Sequence, residues 1–121
     1  MLHDELWRAN LYLAQSCLAH PFVQALGDGT LETNLFRAFI AQDAFFLRAF
    51  LNAYALSLAR SDDTETIATF CELIGGVQEE FKLHHVYAAE LGIDLRGVAP
   101  NPACRAYTDF LLRAAWHTSF R

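Results

Sequence analysis

The sequence predicts an all-α fold, on three observations. Apolar residues recur at spacings of three and four through most of the chain. Strand-like alternation is rare, and no internal repeat or low-complexity tract interrupts the pattern. A length of 121 residues is enough for one domain of modest size and too short for two.

The first helix is predicted from near Asp4, a candidate N-cap, to about Ala19, because Pro21 disfavours helical geometry in the residue before it. Trp7, Leu11, Ala14 and Leu18 form one stripe, widened by Leu6, Leu13 and Cys17. "GDGT" at 27–30 reads as a turn, and Thr30 or Thr33 can cap the long helix that follows, which is expected to end near Ser61. Asp62, Asp63 and Glu65 suit the positive end of a third helix, from about Thr64 to Leu91, with Gly92 as its stop. Gly75 and Gly76 lie inside it at a cost of about 1 kcal/mol each relative to alanine, so a bend or close packing is expected there. After the loop "GIDLRGVAPNPA", Asn101 and Pro102 read as N-cap and first turn of a fourth helix whose pattern continues to Arg121.

That last helix calls for burial both at Phe110 with Leu111 and, round the cylinder, at Leu112 with Trp116 and Phe120. No glycine or proline closes it. Residues 1–121 are therefore expected to form a single helical domain that is the N-terminal portion of a larger bundle, the alternative being a partner subunit that supplies the missing surface.

Composition excludes several function classes. Net charge is -5 with Lys and Arg scattered singly, which leaves no electrostatic footprint for nucleic acid. The apolar fraction of 54% is above the usual share for a soluble domain, yet nowhere do about 18 apolar residues run uninterrupted. The start lacks a basic region followed by an apolar run, so no membrane partner and a cytoplasmic location are expected. Cys17, Cys71 and Cys104 are far apart and odd in number, which argues against a disulfide framework or a zinc site. Cys17 and Cys71 read as small core residues.

The segment "FIAQDAFFLRAF" at 39–50 places a carboxylate in an apolar stripe. The core face of the second helix is predicted to follow Phe36, Phe39, Ile40, position 43, Phe46, Leu47 and Phe50, with Arg37, Arg48 and Asn52 on the wetter side. An unpaired buried carboxylate costs several kcal/mol, so Asp43 must be neutralised, hydrogen-bonded or facing a cavity. Either it bonds a tyrosine, a histidine or a neighbouring helix, or it is a pocket carboxylate that recognises a nitrogenous ligand.

Other constellations are weaker. "EEFKLHH" at 79–85 sets Glu80 and His84 on one helix face, but lacks the Glu-x-x-His spacing of di-iron bundles, so a structural Glu80–His84 pair is expected and no metal. His20 before Pro21 reads as a helix-end histidine bonded to backbone carbonyls rather than a haem ligand.

The order of motifs resembles the TenA family, the thiaminase II or aminopyrimidine aminohydrolase proteins, which share a haem-oxygenase-like helical bundle. The resemblance runs from Trp7 through "HPFVQALGDGTL" at 20–31, "FRAFIAQDAFFLRAF" at 36–50, "EEFKLHH", "ELGI" at 90–93 and "NPACRAYT" at 101–108. It implies a small-molecule aminopyrimidine ligand from degraded thiamin, a homo-oligomer (dimer or tetramer), and no cofactor. Residue by residue, Asp43 resembles the carboxylate that binds the amino and ring-nitrogen edge of the pyrimidine, and Tyr107 a tyrosine lining the same pocket. Tyr107 can equally be read as a core aromatic with Phe110, Leu111 and Ala114.

Two departures qualify the resemblance. Phe45 and Phe46 stand where many members carry tyrosines; Phe46 can stack on a pyrimidine but cannot donate a hydrogen bond. The family's nucleophilic cysteine, in a Leu-Pro-Cys-like segment, and its acidic partner fall after residue 121, so no catalytic residue is expected among residues 1–121. A non-catalytic pyrimidine-binding or oligomerising bundle is the main alternative, and a haem- or metal-dependent oxidase of the same fold the next.

Overall fold

The computed structural model describes residues 1–117. They form six α-helices: α1 (Leu2–Ala9), α2 (Leu11–Leu18), α3 (Pro21–Asp28), α4 (Thr33–Ala59), α5 (Thr64–Leu91) and α6 (Pro102–His117), with a 3₁₀ turn at Leu95–Gly97 before α6. There is no strand among the described residues, and the fold class is all-α. The chain separates into two compact units, Met1–Phe36 and the part from Arg37 onward.

The first unit is built from short helices, and two of its features differ from the sequence reading. The helix expected from Asp4 to Ala19 is divided at Asn10, whose φ of -113° and ψ of 11° leave the helical region. The Asn10 amide donates to the Leu6 carbonyl at 2.8 Å, the local competition with the helix ladder that makes asparagine a helix interrupter. Pro21, read as a stop, is also a start. His20 caps α3 by accepting from the Phe22 N–H at 3.1 Å through Nδ1, and proline occupies the first turn, where its missing N–H costs nothing. His20 thus bonds a backbone N–H rather than carbonyls. The "GDGT" turn forms as expected: Gly29 takes φ 77°, and Thr30 and Leu31 both donate to the Ala25 carbonyl. None of α1, α2 or α3 buries a residue, and Trp7, at the head of the predicted stripe, is 62% exposed.

The second unit holds the buried core. Along α4 two lines are buried, Ile40–Ala44–Leu47 and Ala49–Ala53–Ser57; α5 contributes Val77, His84 and Ala88, and α6 Thr108 and Ala115. This corrects the predicted phenylalanine face. Ile40 and Leu47 are buried, but Phe39 is 36% exposed and Phe36, Phe46 and Phe50 are only half-buried. Three of the six buried positions of α4 are alanines, beside Ile40, Leu47 and Ser57, because small side chains let helix backbones approach while larger rings fill the margins. Arg37, Arg48 and Asn52 are exposed, as read.

Helix ends in this unit follow local chemistry. Asp63 caps α5 by accepting from the Thr66 N–H at 2.8 Å, and Gly92, at φ 64°, ends it with Ile93 donating back to the Ala88 carbonyl. α5 is unbroken across Gly75–Gly76, and a Cβ built at either position would meet nothing within 4 Å, so close packing does not account for the pair. Asp94 grips Arg96 through backbone and guanidinium, which brings its carboxyl down to about 2. Asn101 caps α6 by accepting from the Cys104 N–H at 2.8 Å. Phe110 and Trp116 are exposed, whereas Phe120 lies outside the described residues. Among the described residues no helix is long and apolar enough to cross a membrane.

Candidate functional site

Asp43 lies on α4 beside the buried Ile40–Ala44–Leu47 line. Its Oδ2 is 2.7 Å from Nε2 of His84, on the buried Val77–His84–Ala88 face of α5. The carboxylate is 25% exposed and the imidazole 10%, so the site is sheltered without being the enclosed hollow that a core slot implies. The other ring nitrogen of His84 lies 3.0 Å from the Glu80 carbonyl one turn back. The expected Glu80–His84 pair is therefore a contact to the Glu80 backbone, and the second ring nitrogen crosses to a different helix. The neighbouring charges point away from this pair: Lys82 bonds Glu79 at 2.7 Å in solvent, and His85 bonds the Phe81 carbonyl.

One residue earlier, Gln42 fixes where α6 begins. Its Nε2 donates to the Ala99 carbonyl at 3.0 Å and its Oε1 accepts from the Asn101 N–H at 2.8 Å. The Cys104 thiol lies 3.7 Å from the Gln42 carbonyl. Burial pushes that thiol up, the negative charge of Asp43 pushes it further, and Arg105 opposes them. Cys17 and Cys71, read as core residues, are exposed.

With α6 so anchored, Tyr107 lies flat against Phe46, ring centroids 5.3 Å apart and planes within 7°. Phe46 in turn stacks on Phe50 at 5.4 Å, and Phe50 meets Tyr54 at 4.5 Å. Asp43 and Phe46 are one helical turn apart, so a hydrogen-bonding carboxylate sits at one end of an aromatic row. Tyr107 is 53% exposed and does not join a core cluster with Phe110, which is exposed as well. Two open clefts run along the row: one of about 410 Å3 between α4 and α5, edged by Glu72 and Glu80, and one of about 280 Å3 reaching Leu111 and Ala115 of α6. Phe50 and Tyr54 wall both; Asp43 lines neither. Among the described residues no group of three or more His, Cys, Asp or Glu side chains is placed to hold a metal ion.

A model of the TENA/THI-4/PQQC family matches residues 7–121. The chain belongs to that family. It is 37% identical over 100 residues to an aminopyrimidine aminohydrolase of Halalkalibacterium halodurans, covering 79% of this chain and 45% of that protein. It is 33% identical over 109 residues to an aminopyrimidine aminohydrolase of Helicobacter pylori, covering 87% and 50%. The X-ray structure of a TenA homologue from Pyrococcus furiosus superposes with a TM-score of 0.90 at 27% identity, covering 98% of this chain and 57% of that one, and the chain shares its helical-bundle fold. The chain spans about half the length of these curated relatives.

Of the three residues singled out in the sequence, the structure stacks Phe46 and Tyr107 on each other, and Asp43, one turn before Phe46, bonds His84. Asp43 bonds a histidine on a neighbouring helix, as the first of its two sequence readings had it, but that this is His84, and that Gln42 clamps α6, was not read from the sequence. The seven-and-four spacing of Val77, His84 and Ala88, all buried, is the signal that could have shown the histidine facing inward, but the register that sets it opposite Asp43 is tertiary.

Proposed function

We propose that this chain is the N-terminal portion of a TenA-like hydrolase acting on an aminopyrimidine product of thiamin degradation and releasing hydroxymethylpyrimidine. The observation that carries this reading is a carboxylate, oriented by a histidine, one turn from a stacked Phe46–Tyr107 pair. A pyrimidine ring offers a flat face for stacking on aromatics and an exocyclic amine for a charge-assisted hydrogen bond, about twice as strong as a neutral one.

Asp43 accepts from the amine, and Phe46 and Tyr107 bound the ring plane, which fixes the aminomethyl carbon for displacement. The displacement is covalent or water-mediated, with nucleophile and acid supplied by residues after 121; Cys104, in a different segment from the family's nucleophile, does not take that role. The exposed apolar residues of α6 fit cover by the rest of a larger bundle or by a second subunit of a cytoplasmic homo-oligomer.

Incubating the full-length protein with aminomethyl-aminopyrimidine and following ammonia release tests the proposal. Release at a rate lost in Asp43→Ala supports it; no release and no binding by folded protein rejects it. Binding without release favours the non-catalytic reading, for which Phe46, unable to donate a hydrogen bond, is the motivating residue.

A further inference from the structure

The glycine at 76 has no explanation within the described residues. Glycine inside an α-helix is less favourable than alanine, α5 continues straight through it, and a Cβ built there would meet nothing within 4 Å. Gly75 shares that description, but of the two only Gly76 lines the cleft between α4 and α5. Leu47, Phe50, Tyr54 and Leu73 make the cleft apolar, and Glu72 and Glu80 stand about one turn to either side of Gly76. Neither of these two carboxylates is bonded to another described side chain, and no lysine, arginine or histidine lines the cleft. α4 and α5 run antiparallel, with Asp43 against His84 toward one end and Tyr54 against Phe70 toward the other. The lining of α5 extends from Thr69 to Glu80, about 16 Å of helix at 1.5 Å per residue. Small-molecule sites enclose most of their ligand, whereas this cleft is open along its length.

We propose that this cleft is the seat of one helix from the part of the full-length protein after residue 121, which crosses α5 at Gly76 and carries Lys or Arg toward Glu72 and Glu80. This rests on the reading of residues 1–121 as the N-terminal portion of a longer protein, and the relatives' additional length supplies such a segment. A long trough between two antiparallel helices is the groove into which a third helix packs. A glycine facing that groove lets the third backbone approach closer than a Cβ allows, which accounts for an otherwise unfavourable residue in mid-helix. Leu73, 40% exposed, is then covered. An apolar helix seated between Glu72 and Glu80 would strip water from two unpaired carboxylates, so the complementary helix needs cations at those positions.

The test uses the full-length protein. Gly76→Leu is expected to lower Tm by about 5 °C or more, because the new side chain occupies the helix seat. Gly75→Leu, off the cleft, is expected to leave Tm unchanged or raise it, since leucine is the better helix former. Glu72→Lys combined with Glu80→Lys is expected to lower Tm as well, and an unchanged or raised value overturns the basic chemistry assigned to the helix. A labelling measurement decides the case in which Gly76→Leu does not fold. The thiol introduced by Leu73→Cys is expected to react with a maleimide at least about tenfold more slowly than the exposed native Cys71. Protection that persists on dilution supports a helix of the same chain, whereas protection lost on dilution assigns the seat to a second copy and overturns the proposal. Equal reactivity of the two thiols, or equal Tm for Gly76→Leu and Gly75→Leu, overturns it too. In those cases ammonia release still reports separately on the hydrolase reading. A full-length protein with no helical segment after residue 121 overturns both.

Discussion

The unit ending at Phe36 and the unit beginning at Arg37 are both helical, but they are held together differently. In the first, the side-chain hydrogen bonds among the described residues are local, as from Gln24 to the Leu18 carbonyl six residues away, and α1 to α3 bury nothing. In the second, Asp43 and His84 are bonded across 41 residues, and Gln42 and Asn101 across 59, around a buried core. The contrast teaches that an apolar stripe is a request for burial and not its fulfilment. Trp7 and Leu18 have the spacing of a core face and remain exposed, whereas the unremarkable alanines at 44, 49 and 53 are inside.

The comparison is sharpened most by amide hydrogen exchange. Amides flanking Ala44 to Ala53 are expected to exchange more slowly than those of α1 and α2 by a factor on the order of 10² or more, since cross-helix burial opposes opening where local bonds do not. Equal rates in the two units would break the distinction. Next in size, Ala44→Leu forces a larger side chain into the buried Ile40–Ala44–Leu47 line and is expected to lower stability by about 2 kcal/mol in chemical denaturation. The same change at exposed Ala9 is expected to stay within about 0.5 kcal/mol.

Gln42→Leu removes both amide bonds to the loop before α6 and is expected to cost about 1–2 kcal/mol. Because α6 then loses its anchor, tyrosine fluorescence reporting the Tyr107–Phe46 stack is expected to change with it, and an unaltered signal would show that the clamp does not position the ring.

Smallest are the pH effects of the exposed caps, one in each unit. Bonds from the Thr30 side chain and backbone hold Asp28 below the ordinary carboxylate value of 3.8, and Thr66 does the same for Asp63. A carboxyl lowered by folding contributes stability that is complete above its unfolded value and is lost as the pH falls through the lower folded one. Asp28→Asn and Asp63→Asn are therefore expected to narrow the stability gap from the parent as a titration descends below pH 3.8, and a gap constant with pH would contradict the bonds. Neither effect separates the units, because both bonds are local.

What could be read ahead of the structure follows the same division. The start of α5 near Asp63, its end at Gly92 and the Asn101–Pro102 opening of α6 were legible because each depends on groups within a turn of one another. α3 was not, since Pro21 both ends one helical run and begins another and only its end-signal was used. Asn10 gave no warning stronger than its modest propensity, and its bond to the Leu6 carbonyl decides the break. At the site, Asp43 announced itself as a charge in an apolar stripe, whereas Phe46 was given a pocket position by resemblance. Tyr107 came from resemblance, and His84 was paired with Glu80, which it meets only through the Glu80 backbone, while its bond to Asp43 was not read.

Helical class, caps and the anomaly at Asp43 were determined by the sequence alone, because periodicity and capping are set by interactions spanning a few residues. Only the tertiary structure decided that His84 bonds Asp43, that Gln42 clamps the loop before α6, that Tyr107 stacks on Phe46, and that Ile40, Leu47 and alanines rather than phenylalanines take the buried positions of α4. Those outcomes depend on the register between helices far apart in the chain, and register is chosen by the packing of all facing side chains at once.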